Sequence, residues 1–252
     1  NKKGEKLDCL LDIPRVDNSP IIVLNNSWGG DKEFTPIKEA AEFFLERDFA
    51  VLRFSYSGVG NSDGDEKKLT ITSIAEDLQS VLEYVKQIKK VDNSKIGLVG
   101  HSLGTSAIVK AFSSEYPIKC IVMWSPVCDH KIVHYQHYLK KFRMDLEAKG
   151  YFTRHSYTAD RDVYVGKELM EEFRNLELTP YFKNINVPTL MLYPSKNFPK
   201  YDQRHIMSYL EYISAPTDFR LINGNHDFED SKSKKELFDN TLEWFEKYLK
   251  DA

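Results

Sequence analysis

Two kinds of apolar pattern alternate along the chain. Leu7–Ile13, Ile21–Leu24, Ala50–Phe54, Lys95–Val99, Ile118–Trp124, Thr189–Leu192 and Phe219–Ile222 are short runs of strand length. Between them, apolar residues recur three and four apart. Ile37, Ala40, Ala41 and Phe44 predict a helix over Thr35–Leu45. Ile74, Leu78, Val81, Leu82 and Val85 predict a second, running to about Ile88 and opened by the capping-box spacing Ser73-Ile-Ala-Glu76. Leu103–Phe112 and Ser233–Leu249 read as helices too, the latter facing inward through Leu237, Leu242, Phe245 and Leu249. Strands alternating with helices imply an α/β fold, with a mostly parallel central sheet and helices on both faces. One interval breaks the rhythm. The segment between Trp124 and Thr189 is far too long for a crossover loop and is rich in Tyr, Phe, Lys and His. Residues 129–182 therefore read as a mostly helical cap, inserted before the penultimate strand into a core of residues 1–128 and 183–252. The turn-like Asn1–Gly4 ahead of the first run leaves room for an earlier strand.

The length, 252 residues, suits one large α/β domain with an insertion. With 41% hydrophobic and 29% charged residues the chain is not disordered. Its net charge of −3 comes from well-mixed acids and bases, so no basic stripe suggests a nucleic-acid partner. The longest apolar runs are strand-sized, and none predicts a membrane span. Cys9, Cys120 and Cys128 form no disulfide framework and fit a reducing, cytoplasmic compartment, although a chain opening at Asn1 leaves room for a removed signal peptide. The oligomeric state is not legible.

The chemistry centres on Gly100-His101-Ser102-Leu103-Gly104, between a β-run and a helix. G-x-S-x-G in that context is a nucleophile elbow. Glycines flank the serine because neighbouring chains approach closely at the strained turn, and the helix N-terminus aims free N–H groups at a developing oxyanion. A serine hydroxyl needs a base. His226, in Ile222-Asn-Gly-Asn-His226-Asp-Phe228, follows the last strand and precedes the last helix, so the histidine comes last in chain order.

With these motifs and Arg53-Phe-Ser-Tyr-Ser-Gly58-Val-Gly60-Asn-Ser62-Asp63-Gly64, the chain resembles the α/β hydrolases. Within them it is similar to small bacterial esterases of the cinnamoyl/feruloyl-esterase type and to serine-aminopeptidase-like hydrolases. The resemblance implies serine chemistry without metal or cofactor. It places the oxyanion donors at the backbone N–H groups of Trp28 and Leu103, because Asn26-Ser27-Trp28-Gly29-Gly30 stands where the family has H-G followed by an apolar residue. It also places the triad acid at Asn197, in Leu192-Tyr-Pro-Ser-Lys-Asn197, where the family has an aspartate. Losing the triad carboxylate typically costs on the order of 10⁴ in rate. Several explanations stay open: an aspartate engineered to asparagine, service by another carboxylate (Asp129 first, Asp202 second), loss of enzyme activity, or a misaligned loop.

His130, His134 and His137 share a helical face, but no further ligand completes a metal set, and a cap-interface role is the plainer reading. Asp160-Arg161-Asp162 reads as surface pairs. Of the cap aromatics Tyr135, Tyr138, Phe142, Tyr151, Phe152, Tyr157 and Tyr164, about half are expected to form the cap's own core and the rest an apolar slot over Ser102 suited to an aromatic or medium acyl group. The expected activity is hydrolysis of a small-molecule carboxylic ester through an acyl-enzyme on Ser102. A thioesterase or peptidase-like acyl hydrolase is the alternative within enzymes, and a silent hydrolase-fold binding protein the alternative outside them.

Overall fold

The computed structural model describes residues 1–156, 160–196 and 203–250. Asn197, Asp202 and Tyr157 lie outside the described residues. Seven strands form the central sheet: β1 (Cys9–Asp12), β2 (Ser19–Asn25), β3 (Ala50–Phe54), β4 (Val91–His101), β5 (Ile118–Trp124), β8 (Thr189–Pro194) and β9 (Thr217–Ile222). Their order is β1-β3-β2-β4-β5-β8-β9, with β1 antiparallel to β3 and every other pair parallel. This is the mostly parallel α/β sheet that the alternation predicts and the α/β-hydrolase fold that the resemblance implies.

Both faces of the sheet are covered, which is why its inner strands read as continuous apolar runs. On β2, Ile21 and Val23 face one core layer while Ile22 and Leu24 face the other. The first layer packs under α2 (Ile71–Val85) and α3 (Leu103–Ala111). The second packs under α1 (Thr35–Leu45) and α8 (Ser231–Phe245), whose Phe44 and Phe245 rings meet edge to face at 5.7 Å.

The helix over 35–45 matches its pattern to the residue, whereas α2 begins earlier than the Ser73–Glu76 spacing predicts. Its N-cap is Thr70: the Thr70 side chain accepts from Ser73 N–H at 3.0 Å, and Ser73 Oγ accepts from Thr70 N–H at 2.9 Å. The box is therefore Thr-x-x-Ser, with serine serving the role usually taken by Glu or Gln. Helix α2 stops at Val85 rather than near Ile88.

Between β5 and β8 the chain forms a π-helical turn (Lys131–Tyr135), α4 (Gln136–Lys149), α5 (Lys167–Asn175) and α6 (Thr179–Phe182). It also forms an antiparallel hairpin that the sequence reading omits, β6 (Tyr151–Ser156) with β7 (Arg161–Gly166). Its buried apolar side chains are Phe152, Val163 and Val165, and charged residues between them obscure the period of two. Arg161 does not make the expected surface pair. Its guanidinium pairs with the buried Glu66 at 2.6 and 3.1 Å, and its Nε donates to Gly29 O at 3.1 Å. The hairpin is thereby fastened to the loops that follow β2 and β3.

Thr70→Ala removes one half of the capping box and is expected to lower stability by about 1 kcal/mol. Urea denaturation should show the lower midpoint with an unchanged m-value.

Candidate active site

The sheet positions the site through the C-terminal end of β4. Ser102 follows directly, at φ 53° and ψ −114°, a strained conformation for a residue with a side chain. Two glycines permit the turn. A Cβ on Gly104 would stand 2.5 Å from Asn26 O and 2.9 Å from Asn25 O, and one on Gly100 would stand 2.9 Å from the Gly104 carbonyl. The strand end, the loop after β2 and the start of α3 are therefore in backbone contact. Leu103 is the first residue of α3, so its N–H has no intrahelical acceptor.

His226 lies on the loop between β9 and α8, and its Nε2 is 2.9 Å from Ser102 Oγ. Its backbone carbonyl is held twice. His101 Nε2 lies 3.1 Å away and Ser125 Oγ donates at 2.6 Å. His101 is fully buried, its ring facing Phe34 at 5.9 Å, with Asp227 Oδ1 at 3.5 Å from Nε2. Bonding to a carbonyl requires the Nε2–H tautomer of His101. Burial, reinforced by neighbouring His101 and opposed by Asp227, pulls the His226 pKa down to about 4. Among the described residues, no carboxylate is hydrogen-bonded to His226. Asp129 accepts from Ile132 N–H at 3.0 Å, at the start of the π-helical turn.

A cavity of about 190 Å³ opens beside the pair, lined by Ser27, Trp28, Ser102, His134, Tyr138 and Arg154 among others. Trp28 is almost fully buried, with its ring edge to face with His134, Tyr138 and Phe173 at 5.4–5.6 Å. Arg154 of the hairpin lies over that ring at 4.3 Å and donates from Nη2 to Trp28 O at 3.1 Å. The walls are thus more polar than the apolar slot expected of the cap aromatics. Tyr138 lines the cavity, while Phe142 and Phe152 stack on each other at 4.2 Å within the cap.

The histidine trio divides. His137 is exposed. His130 and His134 join a chain inward: Ser106 Oγ donates to Val127 O at 2.9 Å, stands 2.8 Å from His130 Nε2, and His130 Nδ1 stands 3.1 Å from His134 Nδ1. Ser106 has one proton, and Val127 takes it, so His130 donates from Nε2 and accepts at Nδ1. His134 then carries its proton on Nδ1, leaving Nε2 an acceptor on a ring that lines the cavity. Burial pulls the His130 pKa down to about 3 and holds that of His134 well below its ordinary value. Ligand atoms of His101, His226 and Asp227 lie within 4.8 Å of one another, close enough for one cation, but the Nε2 atoms already serve the His226 carbonyl and Ser102.

Sequence reasoning brings Ser102, His226, Trp28 and Leu103 to one place. It misses His101, Ser125, Arg154 and the inward role of His134. The histidine inside the elbow motif and the serine after β5 are signals only once the chain's path is known.

Residues 28–164 match the profile of the family described as serine aminopeptidase, S33. An uncharacterized 31.7 kDa protein from the traX-finO intergenic region of Escherichia coli is 34% identical over 48% of this chain and 43% of its own length. The mitochondrial palmitoyl-protein thioesterase ABHD10 of Bos taurus is 24% identical over 58% of this chain and 46% of its own length. The chain thus matches less than half the length of each of these two relatives. Among solved structures, Est1E from Butyrivibrio proteoclasticus with ferulic acid bound superposes with a TM-score of 0.79 at 18% identity, covering 96% of this chain and 97% of that one. That similarity shows a shared fold.

Gly104→Ala is expected to destabilise the protein by roughly 1–3 kcal/mol, because the new methyl meets two backbone carbonyls. A thermal melt checks it. The histidines give stability a definite pH dependence. An unfolded imidazole protonates near pH 6.5, whereas folded His226 and His130 protonate near 4 and 3. The unfolded chain therefore binds more protons below about pH 6.5, and stability present above that pH falls as pH drops toward 4 and then 3. Melting temperatures across pH 4–8 should decline on the acid side, and less so in His130→Asn.

Proposed function

The chain belongs to the serine aminopeptidase, S33, family of α/β hydrolases, and from that premise we propose that it hydrolyses small carboxylic esters through an acyl-enzyme on Ser102. The observation that carries this reading is the 2.9 Å contact between Ser102 Oγ and His226 Nε2 at a strained elbow beside a cavity. His226 is neutral around pH 7, so its Nε2 can take the hydroxyl proton as Oγ bonds to the acyl carbon. Charge then develops on the carbonyl oxygen, where the N–H groups of Trp28 and Leu103 are the proposed donors. His226 returns the proton to the leaving alcohol as the ester C–O bond breaks. It next takes a proton from water, whose oxygen attacks the acyl-enzyme, and gives that proton back to Ser102 as the acid departs. The residues 129–182 act as the lid over this site. Asn197 is the proposed orienting group for His226, an amide in place of a carboxylate.

The same steps cleave a thioester, a reading that the name of the bovine relative favours. The asparagine at position 197, where the family has an aspartate, favours a slow enzyme or a silent binder.

Methyl and p-nitrophenyl ester series separate these. Turnover lost in Ser102→Ala, by roughly 10²-fold if the amide at position 197 already costs about 10⁴, supports the hydrolase, and turnover equal in the two proteins excludes it. With His226 as base, kcat/KM should stay level from pH 8 down to about 5 and fall only near 4. Asn197→Asp should raise kcat, by up to about 10⁴-fold if that position orients His226. No change would place the acid elsewhere.

A further inference from the structure

Arg154 is not explained by the reaction above. It projects from β6 of the hairpin into the wall that holds Ser102 and His134. One of its five N–H donors serves Trp28 O. Its Nε is buried and without a hydrogen-bond partner, and no carboxylate lies within 4 Å of the guanidinium among the described residues. Glu66 and Asp227 act on it only from farther away, and Glu66 is already engaged by Arg161. A half-buried cation with no carboxylate beside it is costly, and an arginine stays charged under these conditions. The Trp28 ring beneath the guanidinium holds it beside the cavity, where its remaining donors can meet a carboxylate. The neighbouring imidazoles of His130 and His134 add no competing charge in their neutral forms. The cavity holds about six waters' volume, enough for a short chain.

We propose that the site takes short esters carrying a free carboxylate, bound by Arg154 beside the Ser102 nucleophile. This rests on the ester-hydrolase reading and names its substrate class. A carboxylate can belong to the acyl half or to the alcohol half, and the two arms of the test separate them.

The test compares matched ester pairs by pH-stat: monomethyl succinate against methyl 4-methylpentanoate for the acyl half, and acetoxyacetate against isobutyl acetate for the alcohol half. The expected result is a kcat/KM ratio favouring the anionic member of one pair by roughly 10- to 100-fold. That ratio should collapse toward one in Arg154→Gln and be partly restored in Arg154→Lys, with thermal melts confirming that both variants fold. Turnover of the neutral esters with no anionic preference in either pair overturns the proposal and leaves the hydrolase reading standing. So does a preference that survives in folded Arg154→Gln, the result expected if the arginine only props Trp28. If no ester is turned over, calorimetric titration of Ser102→Ala with monomethyl succinate and acetoxyacetate decides. Binding abolished by adding Arg154→Gln upholds the anion site while the hydrolase reading falls. Absence of binding overturns the anion site as well.

Discussion

The structure depends on one close approach of backbones. The start of α3 lies so near the loop after β2 that Gly104 has no room for a Cβ beside the carbonyls of Asn25 and Asn26. That contact sets the angle at which the chain leaves β4, and the angle forces Ser102 into its positive-φ conformation. The same contact sets the Trp28 loop beside the serine, and both line one cavity. Strain at one residue costs about 1–3 kcal/mol, and the packed sheet and helices around it hold it in place. Two further donors, on His101 and Ser125, clamp the carbonyl of His226 against this frame. The pair at 2.9 Å follows from backbone geometry more than from the side chains themselves.

Much of the frame is legible in the sequence because it is periodic. The strands buried on both faces and α1 with its apolar stripe announce themselves, and the elbow and the late histidine fall at the expected points between them. The sequence reading weakens wherever a long-range partner decides. Helix α2 is capped at Thr70 and begins at Ile71 because a serine completes a capping box in which glutamate is the commoner choice. The hairpin exposes a charged face, and its stability comes from Glu66 and from Trp28 and Gly29, which lie far away in sequence. Arg161 reads as an ordinary surface cation, and Arg154 carries no signal, until the fold supplies what lies opposite each. The His130–His134 spacing is visible as a helical face, but its direction of hydrogen bonding is set by Ser106 and Val127.

The titratable groups around the site differ in how they meet burial. The base pair of Ser102 and His226 sits in a region where burial favours neutral imidazoles: His101, His130, His134 and His226 all have lowered pKa values. Arg154 is the cation among them. Desolvation opposes its charge too, but a guanidinium cannot relieve that cost by losing a proton within the ordinary pH range. The neutral histidines and the obligate cation make a polar wall in a segment whose aromatic content suggests an apolar one.

The hairpin's attachment has a mechanical corollary. Its two arginines grip the carbonyls of Trp28 and Gly29, in the short peptide stretch whose Trp28 lines the cavity. Lifting the hairpin would pull on that stretch directly. The hairpin and the loop beneath it are therefore expected to move as one piece.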